Sequence, residues 1–139
     1  MEALYTASAT ATGDARNGHV RSADGVLDFD LAVPKEMGGP GGAHTNPEQL
    51  FAAGYAACFH SALKAAARLA KLTLTDTAVT IDVGVGRNDQ GGYGLRATIE
   101  AEINGVDEPT ARRLLDTAHQ LCPYSNATRG NIEVQLSLA

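Results

Sequence analysis

Asn46-Pro47-Glu48-Gln49-Leu50-Phe51-Ala52-Ala53-Gly54-Tyr55-Ala56-Ala57-Cys58-Phe59-His60 is the stretch on which the architecture turns. Asn46 suits an N-cap, Pro47 suits the first helical position, and Gln49 completes a capping-box-like pattern. These signals predict a helix that starts at residue 47 and runs to about Lys71. Apolar residues and alanines occupy nearly every side of it, which predicts a buried central helix rather than a surface one. A long helix without a polar face also implies that another subunit covers part of it.

Around this helix, four segments alternate with the period of two expected for half-buried strands. The clearest carries Tyr93, Leu95, Ala97, Ile99, Ala101 and Ile103 on one face, with Arg96, Thr98, Glu100 and Glu102 on the other. Val79, Ile81, Val83 and Val85 form a second, Leu27, Phe29, Leu31 and Val33 a third, and Ile132, Val134, Leu136 and Leu138 a fourth. The run from Leu4 to Thr12 reads as a weaker strand. Asn88-Asp89-Gln90-Gly91-Gly92 and Ala23-Asp24-Gly25 have turn chemistry. A second helix begins near Asp107-Glu108-Pro109, carries Ala111, Leu114, Leu115, Ala118 and Leu121 at helical spacing, and is stopped by Pro123. Strands outnumber helices and look one-sided. The expectation is an α+β domain with helices packed on one face of a mostly antiparallel sheet.

The 139 residues fit a single domain, 1–139, with no repeat and no low-complexity tract. A net charge of −5, with no basic run longer than Arg112-Arg113, argues against a nucleic-acid surface. Met1-Glu2-Ala3-Leu4-Tyr5 lacks the basic and apolar regions of a signal peptide. The most apolar stretch, Leu50 to Leu63, is shorter than the roughly 20 residues a membrane span needs. A soluble, cytoplasmic protein is expected. Thiols are kept reduced in that compartment, so Cys58 and Cys122 are candidates for chemistry or simply buried apolar residues.

Cys122 lies eleven positions after Ala111, about 20° from it around the axis, and so on the inward face of the second helix. Both cysteines are expected to point into one core, where they would make either a reversible disulfide or inert packing. A zinc site is the rival, since Cys58, His60, His119 and Cys122 are the right ligand types. The spacing counts against it: Cys58 and His60 stand about 200° apart on a helix and cannot converge on one ion. Gly38-Gly39-Pro40-Gly41-Gly42 lacks the Gly-Lys-Ser/Thr of a phosphate loop, and neither a serine-hydrolase elbow nor a dinucleotide fingerprint is present.

The segment from Asn46 to Phe59 strongly resembles the Ohr/OsmC family. Cys122-Pro123-Tyr124-Ser125-Asn126-Ala127-Thr128-Arg129-Gly130-Asn131 resembles its organic hydroperoxide resistance (Ohr) branch, as do Ala3-Leu4-Tyr5-Thr6-Ala7, Arg16-Asn17-Gly18, Ser22-Ala23-Asp24-Gly25 and Gly38-Gly39. The resemblance implies a thiol peroxidase for organic and fatty-acid hydroperoxides, built as an intertwined homodimer and regenerated by a dihydrolipoyl-type dithiol, with no cofactor. It implies that Cys58 is the peroxidatic cysteine, that Cys122 resolves it, and that Arg16 and Glu48 surround the thiolate. Asp14-Ala15 stands where Gly is common before the arginine. An OsmC-type peroxidase is the neighbouring reading, and a non-catalytic thiol- or metal-binding stress protein the more distant one.

The chemistry asks for such partners. A thiolate attacks the peroxide, and a helix interior disfavours a thiolate unless a cation is supplied. Arg16 is permanently charged, and Glu48 would orient its fork. On the residues alone, Arg16 reads as a solvated turn residue and Glu48 as a complement to the helix dipole. In a straight helix Glu48 lies about 15 Å along the axis from Cys58. Either the helix bends, or Arg16 and Glu48 serve a Cys58 from the other subunit, which is the expectation. Phe51, Tyr55 and Phe59 form a stripe that would either line an apolar pocket for an alkyl chain or pack in the core.

Overall fold

The computed structural model describes residues 1–139, which divide into two compact units, Met1–Leu50 and Phe51–Ala139. The first unit is built on a three-stranded antiparallel meander of β1 (Ala9–Thr12), β2 (His19–Ser22) and β3 (Asp28–Asp30). Asp24 shapes the β2–β3 turn by accepting from Ser22 Oγ and from the Val26 amide, with Gly25 at positive φ. Only Leu31 and Ala32 of this unit are buried, and Leu27 and Phe29, read from the alternation as half-buried, are exposed. The predicted N-terminal strand is shorter than expected, beginning at Ala9 rather than Leu4.

Helix α1 spans Pro47–Leu69 without a break. Asn46 caps it, accepting from the Gln49 amide at 2.8 Å. The reciprocal half of the capping box is not made, because the Gln49 side chain accepts from Thr45 Oγ at 3.0 Å instead.

In the second unit α1 buries one stripe, Tyr55, Phe59, Ala62, Leu63, Ala66 and Ala67, spaced as one helical face. Ala53, Ala57 and Ser61 on another face are exposed in the single chain. The stripe packs into a core with β4 (Thr77–Arg87), β5 (Tyr93–Ile103) and α2 (Glu108–Leu121). Strands β4 and β5 pair antiparallel along their whole length, Ile81 opposite Ile99. Ala97, Ile99 and Ala101 are buried, as the alternation predicts. Tyr93 at the same phase is exposed and lies under the Arg87 guanidinium.

Two features depart from the sequence expectation. Pro123 stops α2, but it also begins a further helix, α3 (Pro123–Thr128), of which Cys122 is the N-cap. A proline favours both outcomes, because it drives the preceding residue to extended geometry and is preorganised for a first helical position. Strand β6 (Glu133–Leu138) then returns parallel to β5, since two helices carry the chain back across the sheet. No helix is long and apolar enough to cross a membrane.

Candidate functional site

Cys58 sits mid-way along α1, one residue before Phe59, and is partly buried against the core. Cys122 is held at the α2–α3 corner by its amide, which donates to the Ala118 carbonyl at 2.9 Å, and by its carbonyl, which accepts from the Asn126 amide at 3.0 Å. That corner brings two free thiols, 64 residues apart, to an Sγ–Sγ distance of 3.6 Å. Two thiols in contact can be joined by loss of two electrons and two protons with little backbone movement.

Burial pushes the Cys58 thiol above its ordinary value, and the adjacent Cys122 adds to the push. The backbone N–H of Tyr124 acts the other way, as a donor to the Cys58 sulfur. This setting favours the protonated thiol, and a nearby cation would be needed to make Cys58 a better nucleophile.

Arg16 and Glu48 form the second predicted pair. Arg16 lies in a single 3-10 turn, Ala15–Asn17, entered through Ala15 at a φ of 51°. The turn is anchored by Asn17, whose side-chain oxygen accepts from the Val33 amide at 2.9 Å, and by Gly18, where a Cβ would stand 2.2 Å from the Thr12 carbonyl oxygen. The start of α1 is tied in turn by the Ala32 amide, which donates to the Thr45 carbonyl. These ties set the Arg16 fork against the Glu48 carboxylate in two hydrogen bonds of 3.0 and 2.9 Å. The guanidinium holds the Glu48 carboxyl below the usual carboxylate range.

Of the aromatic stripe, Tyr55 and Phe59 are wholly buried in the core, and Phe51 is partly buried at its margin. Tyr124 completes an aromatic cluster that the sequence reading did not include, with ring centroids 5.9 Å from Phe51 and 5.6 Å from Tyr55. Gly54 permits this, since a Cβ there would meet the Tyr124 hydroxyl at 3.0 Å. Two further residues escaped the reading. Ser125 is fully buried and bonds Tyr55, and His119, considered only as a metal ligand, bonds Ser125. The signal for Ser125 lay in the Cys122-Pro123-Tyr124-Ser125 run, which it closes. His60, the other histidine of the rival zinc set, bonds Thr77 Oγ at 2.8 Å.

Comparison with known proteins adds three findings. The family model described as OsmC-like protein matches residues 39–137. An organic hydroperoxide resistance protein of Xanthomonas axonopodis pv. citri is 53% identical over 137 residues, covering 98% of this chain and 95% of its own length. The crystal structure of an organic hydroperoxide resistance protein from Elizabethkingia anophelis superposes with a TM-score of 0.95 at 52% identity, covering 100% of this chain and 99% of that one.

Proposed function

The chain belongs to the OsmC-like protein family, in its organic hydroperoxide resistance branch, and from that premise we propose that it is a thiol peroxidase reducing organic and fatty-acid hydroperoxides to alcohols. The observation that carries the reading is the 3.6 Å contact between the two free thiols. The Cys58 thiolate attacks the terminal peroxide oxygen, the O–O bond breaks, and the alkoxide leaves as the alcohol on taking a proton. Cys58 is then a sulfenic acid. The Cys122 thiol displaces its hydroxyl as water, and the two sulfurs form a disulfide. A dihydrolipoyl-type dithiol restores both thiols and becomes a disulfide itself. The cycle needs no metal or cofactor and belongs to the reducing cytoplasm.

The same reading assigns Arg16 and Glu48 the task of supplying a fixed cation to Cys58, and Phe51 with Tyr124 the apolar contacts to the alkyl chain; Tyr55 and Phe59, first expected there as well, have no exposed surface and serve the core instead. Along a straight helix the ten residues from Glu48 to Cys58 rise about 15 Å, too far for the two to meet within one chain. The pair is therefore assigned to the Cys58 of a second copy, in an intertwined homodimer. The first unit supports such an assembly. Fifty residues that bury only Leu31 and Ala32 lack a core of their own, and exposed Leu27 and Phe29 want cover.

The test is a thiol count on the reduced protein before and after one equivalent of an organic hydroperoxide. The reading requires the loss of two thiols per peroxide, and their return with dihydrolipoamide. An unchanged thiol count would refute it.

A further inference from the structure

Tyr55, Ser125 and Thr128, all buried, join the half-buried His119 in a set of polar groups whose protons can be counted. The Tyr55 hydroxyl on α1 contacts Ser125 Oγ at 2.9 Å and Thr128 Oγ at 3.3 Å. Ser125 Oγ also contacts His119 Nδ1 on α2 at 2.8 Å. The Thr128 hydroxyl donates to the Ser125 carbonyl at 3.1 Å. Tyr55 and Ser125 have no exposed surface, and Thr128 almost none, so an unmade bond here would be costly.

Each hydroxyl has one proton, and four contacts must be filled. Thr128 has given its proton to the Ser125 carbonyl, so in the Tyr55–Thr128 contact Tyr55 must donate. The Tyr55 proton is then used, so Ser125 must donate to Tyr55. The Ser125 proton is then used, so the last contact is made only if His119 carries a proton on Nδ1. Burial, with the Arg129 charge nearby, holds His119 below its ordinary value and so favours the neutral ring, in which the Nδ1–H form leaves the lone pair on Nε2.

Resting on the peroxidase reading above, we propose that this one-way chain from His119 through Ser125 and Tyr55 to Thr128 is the positioning device of the resolving cysteine. Ser125 is the junction. Lying three residues after Cys122, it fastens α3 to α1 through Tyr55 and to α2 through His119. Arg129 makes a second tie from the end of α3 to α2, donating to the His119 carbonyl at 2.6 Å. The corner that carries Cys122 is thereby fixed to the helix that carries Cys58. Ser125, His119 and Tyr55 act through Cys122 and touch no reacting atom in this role.

The proton order is testable without peroxide. Long-range nitrogen–proton NMR on the histidine ring should show His119 as the Nδ1–H tautomer in the reduced wild type. In Tyr55→Phe the Ser125 proton is released to face His119, so the Nε2–H tautomer should become populated, although Tyr55 shares no hydrogen bond with His119. A wild-type Nε2–H ring, or a tautomer unmoved in Tyr55→Phe, overturns the chain. The positioning role is read in rapid mixing with one equivalent of hydroperoxide. In Ser125→Ala, disulfide formation should slow at least tenfold relative to Cys58 oxidation, and sulfinate should accumulate at excess peroxide. An unchanged ratio in a folded Ser125→Ala overturns the role; should that variant fail to fold, the same ratio in Tyr55→Phe decides. Absence of thiol loss in the wild type refutes the peroxidase reading and the resolving role with it, while the tautomer result is independent of that failure.

Discussion

Arg16 and Glu48, 32 residues apart in sequence, meet fork to fork, each guanidinium nitrogen on its own carboxylate oxygen. The carboxylate is the better covered partner, at 13% side-chain exposure against 43% for the arginine. Such a pair has little worth as a surface ion bridge and more as a device that points one charge in one direction.

Acid should open it in a defined way. The Glu48 carboxyl is held below its ordinary value, so its contribution to stability is fully present above that ordinary value. It is lost as pH falls through the lowered one. Urea unfolding should show the wild type losing more stability between about pH 5 and 3 than Glu48→Gln does, with a difference at neutral pH of at most ~1 kcal/mol for so exposed a partner.

If Arg16 serves Cys58 as proposed, removing it should leave the thiolate only the Tyr124 amide to set against burial and the neighbouring Cys122. In Arg16→Gln the thiolate absorbance of Cys58 should appear at higher pH than in the wild type, because a positive charge favours the anion and desolvation disfavours it. Peroxidase rate at neutral pH should fall roughly tenfold or more, each tenfold being about 1.4 kcal/mol of barrier. A thiolate titration identical in both proteins would remove Arg16 from its assigned role.

The thiols should also differ in access. Cys122 has no exposed surface and Cys58 is only partly covered, so a maleimide followed by peptide mass spectrometry should mark Cys58 first. Cys122 should react at a comparable rate only in denaturant.

At Ala15 the usual order of glycine and alanine should reverse. Its φ of 51° lies in the left-handed region, which costs a Cβ-bearing residue about 1–2 kcal/mol. The greater freedom of glycine in the unfolded chain takes back about 0.4–1 kcal/mol. Ala15→Gly should therefore be neutral to stabilising by up to ~1.6 kcal/mol in urea unfolding. A loss of more than that would show that this backbone does not hold the left-handed conformation.

The sequence was most legible where one residue's neighbours decide its state. Alternation along Leu95–Ile103 marks a buried face because the period of two admits little else, and Asn46-Pro47 marks a helix start because a cap is local chemistry. Alternation at Leu27 and Phe29 marks an apolar face without saying what covers it, and in the single chain both remain exposed. Pro123 marks the end of one helix in the sequence and is also the beginning of another, which depends on where the chain must go next. The direction of β6 follows from that detour. Within the site, the two cysteines stood out by residue type, whereas Ser125 gains its partner Tyr55 only through packing across 70 residues.

The contact between Cys58 and Cys122 has a kinetic meaning. In the proposed cycle the sulfenic acid faces two competitors, the neighbouring thiol and a second peroxide molecule. A well-oriented internal partner acts as though present at up to about 10⁵–10⁸ M, far above any peroxide concentration a cell survives. Self-inactivation should thus claim a very small share of turnovers. During a burst of hydroperoxide, the supply of reducing dithiol would run short before the protein itself was consumed.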